Sequence, residues 1–460
     1  MGVVMVLAAA GVQAQLPTFY VDVNAPGPGT GTQINPFPTV QGGVNAAASA
    51  AFGTVVVSPG RYFENVVVPG PSAFGVTVFG SAGASRTIVD GGGVGPVFRV
   101  TTGVFGMGSG TCNLTGLTIT NGQGTLASRS GGVHAPDGVT ANLYGCIIEG
   151  NVGAVGGAGG IGGAVGGAYG TAPLLNNCIV RGNQGGDGNT GGVRGDAYCR
   201  NTLFANNTGG GGMIPGPGAA LGGTSNFINC TFANNVGGAG AGGVQGAGAI
   251  QSSGVLTNCV LWGNTLPVST AVTGPLFMVT SITQGGNVPG LTDPLFADPV
   301  NDDFHVLPLS PCIDGGTALM TVPVADFDGD ARVGPPDIGF DEAFLRLVVD
   351  QPGGAGGPVR VQNHHLNFGD EIFNVYSTPC PGAPGSGPAG FLGLCTTNPA
   401  LLAAQVLTPV GTFPFHYLAT GTTSNLGQYG LPPQTIEALA IRVAGGAIVD
   451  TSAIVDFTVQ

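Results

Sequence analysis

One short phrase, written six times through the middle of the chain, constrains the fold more than any other feature. It reads GLTITNG from Gly116, GCIIEGN from Gly145, NCIVRGN from Asn177, NTLFANN from Asn201, NCTFANN from Asn229 and NCVLWGN from Asn258. Counted from the second residue of each phrase (Leu117, Cys146, Cys178, Thr202, Cys230, Cys259), the steps are 29, 32, 24, 28 and 29 residues. Self-similarity at such a period marks a repeat architecture. Each phrase is a run of about five β-favouring residues closed by Gly and Asn, which reads as a strand ended by a turn. A strand recurring once per repeat, with no helical pattern between, describes a coil that winds and stacks on the next.

Alternation within the phrase says which way it faces, because successive strand residues point to opposite sides. The reference position and the one two residues on (Ile119, Ile148, Val180, Phe204, Phe232, Leu261) are small or apolar and are expected to point inward. The position three residues on holds Thr120, Glu149, Arg181, Ala205, Ala233 and Trp262 and is expected to point outward. Gly and Asn at the phrase ends suit sharp corners, since both tolerate positive φ. Asn side chains stacked coil over coil can hydrogen-bond along the stack.

These phrases resemble those of right-handed parallel β-helix proteins, the pectin-lyase-like superfamily. The FANN pair at 204–207 and 232–235, with GGAV at Gly162, is similar to the FxxN and GGAI repeats of bacterial polymorphic outer-membrane proteins. The opening FYVDVNAPGPGTGTQINPFPTVQGGV and the segment 291–342 (LTDPLFADPVNDDFHVLPLSPCIDGG and onward) resemble the first and closing segments of secreted β-helix chains. The resemblance covers roughly residues 19–342 and implies a fold rather than an activity, because the scaffold hosts lyases, hydrolases, adhesins and tailspikes. The expected architecture is all-β: a right-handed parallel β-helix with an N-terminal capping helix, then a small C-terminal β-sandwich. Residues 1–14 read as a signal peptide, 15–53 as the first strand and capping helix, 54–344 as the β-helix and 345–460 as the sandwich.

Several details fill in that plan. Thr39 is a good N-cap, and Val40, Val44, Ala47, Ala48 and Ala51 share one face at helical spacing. Such a helix would plug the open end of the stack, at a cost of about 1 kcal/mol each for Gly42 and Gly43. GGV recurs at Gly131, Gly191 and Gly242, once per coil, which suggests a further strand or a corner with close backbone approach. At about 4.8 Å per coil, nine to eleven coils would make a rod of roughly 45 to 50 Å.

Composition limits the partners. Glycine supplies 88 of 460 residues and charged residues only 8%, which fits a turn-rich solenoid and neither collagen nor disorder. A formal net charge of −13 argues against nucleic acid or an anionic membrane. The apolar opening run ends at Val12-Gln13-Ala14, an A-x-A-like site. No later run approaches the ~20 apolar residues of a membrane helix. The expected location is therefore secreted or on a bacterial cell surface.

Chemistry is sparse. Cys146, Cys178, Cys230 and Cys259 would stack inward, and small apolar filler explains them better than a metal or disulfide framework. Thr202 and Leu117 in the same column agree. Cys380 and Cys395 bracket a Gly/Pro-rich loop and are the disulfide candidates, with closure contributing about 3 kcal/mol. Asp326, Asp328, Asp330 and Asp337 match positions 1, 3, 5 and 12 of a calcium loop, with Ala331 where that loop has Gly. Carboxylates capping backbone N–H groups and pairing with Arg332 explain the same residues. Calcium, in a structural role, is the single cofactor the pattern suggests.

None of the catalytic segments of polygalacturonases or pectate lyases occurs. Glu149 should sit beside Arg181 one coil away, with Asp187 and Asp196 in the following excursion. These four are the weak catalytic candidates, and an exposed ion pair is the plainer reading of the first two. The outward column Thr118, Ile147, Ile179, Leu203, Thr231, Val260 is an apolar stripe ending near Trp262, the one Trp. Ile147, Ile179, Leu203, Val260 and Trp262 are the candidate ligand platform, unless loops or the C-terminal domain cover it. Two functions follow: a non-catalytic protein binding polysaccharide or cell-surface glycan, or a polysaccharide lyase or glycoside hydrolase with a divergent site.

Overall fold

A computed structural model describes residues 17–50, 53–69, 75–101, 110–135, 139–154, 161–162, 173–212, 215–240, 246–265, 276–284, 293–307, 310–319, 321–327, 332, 335–342, 345–364, 366, 369–377, 394, 399–420, 423–444, 447–452 and 455–460. The expected signal peptide, residues 1–14, lies outside them. The chain forms two compact units, 1–288 with 321–323, and 289–320 with 324–460.

The first unit is a parallel β-helix. Each coil contributes strands to three ribbons in turn, as in Gly53–Val57, Gly60–Phe63 and Val66–Val68. The second ribbon is a nine-stranded parallel sheet made largely of the repeated phrases, running from Gly60–Phe63 to Ile282–Thr283. The first and third ribbons form one 15-stranded sheet, joined where Ala220–Ile228 runs through both. The GGV recurrences at Gly131 and Gly191 lead into the third ribbon, and the one at Gly242 lies outside the described residues. Val133–His134, Ile161–Gly162 and Val193–Arg194 pair in parallel there. Backbone approach at these glycines is close: a Cβ on Gly131 would lie 2.5 Å from the Val152 carbonyl oxygen.

The inward columns are as the alternation requires. Leu117, Cys146, Cys178, Thr202, Cys230 and Cys259 are all fully buried, as are Ile119, Ile148, Val180, Phe204, Phe232 and Leu261. Like stacks on like: Phe204 and Phe232 are parallel at 4.8 Å, with Phe227 edge-on to Phe232 at 5.1 Å. The thiols are free, and Cys146 and Cys178 donate to the Leu114 and Leu143 carbonyls at 3.3 and 3.5 Å. Burial pushes the Cys146 thiol up to about 11 and Cys178 well above the usual range, so these two stay protonated.

The phrase ends explain themselves geometrically. Gly116, Gly145, Asn177, Asn201, Asn229 and Asn258 before the strand have φ of 44 to 62°, and Asn121, Gly150, Gly182, Asn206, Asn234 and Gly263 after it 53 to 68°. Next to that second corner an asparagine ladder runs inside the wall. Asn151, Asn183, Asn207 and Asn235 each pass a side-chain hydrogen bond to the next rung at 2.9 to 3.0 Å, ending at Asn264. Each rung also donates to a carbonyl of the preceding coil, Ile119, Ile148, Val180, Phe204 and Phe232 respectively. The side chains thereby carry the interstrand pairing around the corner, where backbone alone cannot.

The capping helix is Val40–Ser49, with Thr39 Oγ1 accepting from Gly42 N at 3.1 Å. Val40, Gly43, Val44 and Ala47 are its buried residues. Gly43 marks the contact point: a Cβ there would meet Val55 and Val21 methyls at 2.6 and 2.7 Å. The Glu64 carboxylate accepts from Val40 N and Gln41 N at 2.7 and 2.9 Å, so the helix start is satisfied by the stack it covers.

In the second unit, Arg346–Asp350, Val359–His364 and Thr423–Tyr429 form a three-stranded antiparallel sheet. A five-stranded sheet centred on Glu371–Ser377 and Gln434–Ala444 packs on it through Leu347, Val361, Ile372, Ile436 and Ala438. This is the antiparallel two-sheet domain expected for 345–460. Residues 289–320 and 324–342 group with it by contact, and 296–306 form an antiparallel hairpin rather than a coil. The unit boundary thus falls well before residue 344. Cys380 and Cys395 lie outside the described residues.

Candidate functional site

The expected ion pair is present. In-register pairing places Glu149 opposite Arg181, and Arg181 Nη2 lies 2.8 Å from Glu149 Oε2. Both side chains are about one-third exposed, at 31% and 36%, so each satisfies the other at the surface in an arrangement typically contributing ~0–1 kcal/mol. Asp187 is exposed in a turn beyond that strand, and Asp196 is exposed at the bend between Val193–Arg194 and Tyr198–Arg200. Asp196 Oδ1 accepts from Thr224 N at 2.8 Å, and so holds that bend to the next coil. Of the four acid–base candidates, register unites Glu149 with Arg181.

The apolar platform needs correction. Ile147, Ile179 and Trp262 are half-buried, but Leu203 and Val260 are 3% and 0% exposed. Ala205 and Ala233 on the same outer face are also fully buried. The alternation correctly turned these residues out of the core, but it carries no information about what closes over them. A continuous platform from Ile147 to Trp262 is therefore not available to a ligand.

In the second unit Asp326 and Asp337 are buried and act as caps: Asp326 Oδ2 accepts from Glu342 N at 3.0 Å and Asp337 Oδ1 from Asp314 N at 2.7 Å. Arg332 pairs with Glu342 at 2.8 Å. Asp328 and Asp330 lie outside the described residues. Among the described residues no group of three or more His, Cys, Asp or Glu is placed to hold a metal ion.

A better face lies on the first ribbon, one strand upstream of the repeated phrases. There the outward rows are Asn113, Asn142, Leu174, Tyr198 and Thr115, Tyr144, Asn176, Arg200, aligned by parallel register. All eight are partly exposed while the alternating Leu114, Leu143, Leu175 and Cys199 are buried. Arg200 lies 4.8 Å from the Tyr198 ring centroid and donates to its hydroxyl through Nη2 at 2.6 Å. Asn142 donates to Asn113 Oδ1 at 3.0 Å. Asn176, between Tyr144 and Arg200, has its Oδ1 without a hydrogen-bond partner among the described residues. Around the bend, the third ribbon aligns Arg99, His134, Gly162 and Arg194 in one outward row. Burial, then Arg99 and Arg129, hold the His134 imidazole below its usual range, and burial, then Arg129, lower Arg194. Arg99, Arg129 and Arg194 therefore gather like charge around His134 on the third ribbon of an otherwise acidic chain. None of His134, Tyr144, Asn176, Tyr198 and Arg200 is among the residues that the sequence pattern singles out. A period of two run backwards from the inward reference position would turn Tyr144, Asn176 and Arg200 inward; the left-handed corner at Gly145, Asn177 and Asn201 shifts the phase and turns them out.

No protein-family model matches the chain, and no curated protein matches it. Among solved structures, the pectin methylesterase of Aspergillus niger aligns over 59% of this chain and 86% of its own, at 13% identity and TM-score 0.34. The carrot pectin methylesterase aligns over 58% and 88%, at 15% identity and TM-score 0.27. The tailspike gp49 of the Acinetobacter baumannii bacteriophage Fri1, a capsular polysaccharide depolymerase, aligns over 97% and 78%, at 11% identity and TM-score 0.25. The architecture itself is established by the strand register described above.

Proposed function

We propose that this chain is an exported, non-catalytic glycan-binding protein, and that the first-ribbon face from Asn113 to Arg200 holds the sugar. The observation that carries the reading is the register that sets Tyr144, Asn176 and Arg200 side by side in one partly exposed row. Tyr144 and Tyr198 offer aromatic surface to the apolar face of a pyranose ring, while Asn142 and Arg200 offer amide and guanidinium groups to its hydroxyls. Parallel coils repeat such groups about every 4.8 Å, close to the rise of an extended polysaccharide. The cations Arg99 and Arg194 favour a glycan carrying acidic groups.

Binding without turnover is preferred because Glu149 is committed to Arg181, and a glycosidase needs two carboxylates flanking one bond. Among the described residues no helix is long and apolar enough to cross a membrane, and the expected location is secreted or at a cell surface. Any calcium held by Asp326, Asp328, Asp330 and Asp337 would serve the structure of the second unit. The test is a panel of acidic and neutral polysaccharides, following both retention and product release. Retention without release is expected. Release that disappears in Glu149→Gln would replace this reading with an enzymatic one.

A further inference from the structure

The second unit contains a cavity of about 440 Å³, with Val359, Val361, Phe413, Phe415, Leu431 and Ile436 in its wall together with Tyr376 and Tyr429. That volume lies in the range of small-molecule sites. Its chemistry is the opposite of the first unit's face. The wall is almost all carbon, and among the described residues no charged side chain lines it. Ser377 and Gln434 also line it, while the polar groups of Gln405 and Tyr429 are spent. Gln405 is used on both sides of the Tyr376 backbone, accepting from its N–H and donating to its carbonyl, each at 2.8 Å. The Tyr429 hydroxyl donates to the Leu426 carbonyl.

The exception is Tyr376 itself. Its hydroxyl oxygen is buried and has no hydrogen-bond partner among the described residues. Its ring stands edge-on to Phe415 at 5.7 Å, which fixes where the hydroxyl points. Burial, then Tyr429 and Tyr417, push that hydroxyl far above the usual tyrosine range, so it is a neutral donor at any physiological pH.

We propose that this cavity is a binding site for a neutral, mainly hydrocarbon small molecule with one oxygen acceptor, which takes the Tyr376 hydroxyl hydrogen bond. A sugar is excluded because most of its hydroxyls would be desolvated without partners. An anion or cation is disfavoured because no opposite charge lines the wall. The site is independent of the glycan reading, lies in the other unit and stands or falls without it.

The probe is 6-propionyl-2-dimethylaminonaphthalene, a neutral fluorescent ketone, titrated into the full chain. Saturable one-to-one binding with blue-shifted emission is expected. Tyr376→Phe should weaken it roughly fivefold, the worth of one neutral hydrogen bond, and Leu431→Trp at the cavity wall should abolish it, with the circular dichroism of both variants unchanged. No saturable binding by the wild type overturns the proposal whatever the variants do. So does equal affinity in Tyr376→Phe, or tighter binding of the anionic 8-anilinonaphthalene-1-sulfonate. A concentration-dependent dimer that Leu431→Trp dissociates would also overturn it, by assigning the cavity to a second copy of the chain.

Discussion

Truncating one rung of the asparagine ladder should destabilise the solenoid far more than removing the neighbouring asparagine. In Asn207→Ala the side chain that accepts from both Asn183 N (3.1 Å) and Asn183 Nδ2 (3.0 Å) is lost, as is its own donation to the Val180 carbonyl at 2.8 Å. Asn183 and Asn207 are 1% and 0% exposed, so water cannot replace these partners without opening the wall. Two buried donors are orphaned, at ~1–3 kcal/mol each, and partial relaxation brings the expected loss to about 3 kcal/mol. Asn206, the preceding residue, is exposed with φ of 54°. Asn206→Gly keeps the left-handed corner and should stay within about 0.5 kcal/mol of wild type. Urea unfolding followed by the fluorescence of Trp262, the one Trp and two coils away, reads the right unit. An Asn207→Ala protein within 1 kcal/mol of wild type would refute the claim that the ladder carries the corner.

Four further outcomes follow from the packing and its hydrogen bonds. Gly43→Ala should destabilise by roughly 1–3 kcal/mol through overpacking against Val55 and Val21, although Ala is the better helix former; thermal melts decide the sign. Cys112, Cys146, Cys178, Cys199, Cys230, Cys259 and Cys312 should resist alkylation at pH 8 until denaturant is added. Cys178→Thr should cost less than about 1.5 kcal/mol, since Thr202 already fills that column and donates to the Arg200 carbonyl at 2.8 Å. Asp90 is buried; desolvation raises its carboxyl, but hydrogen bonds from Gly92, Arg61 and Asn121 outweigh that and hold it below its ordinary value. A depressed acid contributes stability above its unfolded pKa near 3.8 that is lost as pH falls. Acid titration of stability should therefore be shallower in Asp90→Asn.

What could be read from the chain and what could not has a physical dividing line. The inward columns were legible because burial imposes the same residue class on every coil: Cys146, Cys178, Cys230 and Cys259 repeat, as do Phe204 and Phe232. The corners were legible because left-handed φ leaves few residues to choose from. The capping helix was legible from Thr39 and its apolar face, but the role of Gly43 as a contact point was not, because propensity says nothing about neighbours. Leu203 and Val260 were placed outward correctly and exposed incorrectly, since solvent access depends on chain that does not share their strand. Tyr144, Asn176 and Arg200 were missed because the strand carrying them varies in its outward residues, as a surface free of packing constraints does. Asp326 and Asp337 matched a ligand spacing, yet each is at least partly committed to a backbone N–H, a role that spacing cannot distinguish from ligation.

The location of the glycan is the claim on which the functional account rests most heavily. Affinity electrophoresis of full-length protein in gels containing the retained polysaccharide compares the two faces directly. Tyr198→Ala with Arg200→Ala should lose most of the retardation, while Ile147→Ser with Ile179→Ser on the second ribbon should migrate as wild type. The opposite ordering, with the isoleucine pair abolishing retardation and the tyrosine–arginine pair leaving it intact, would contradict the account.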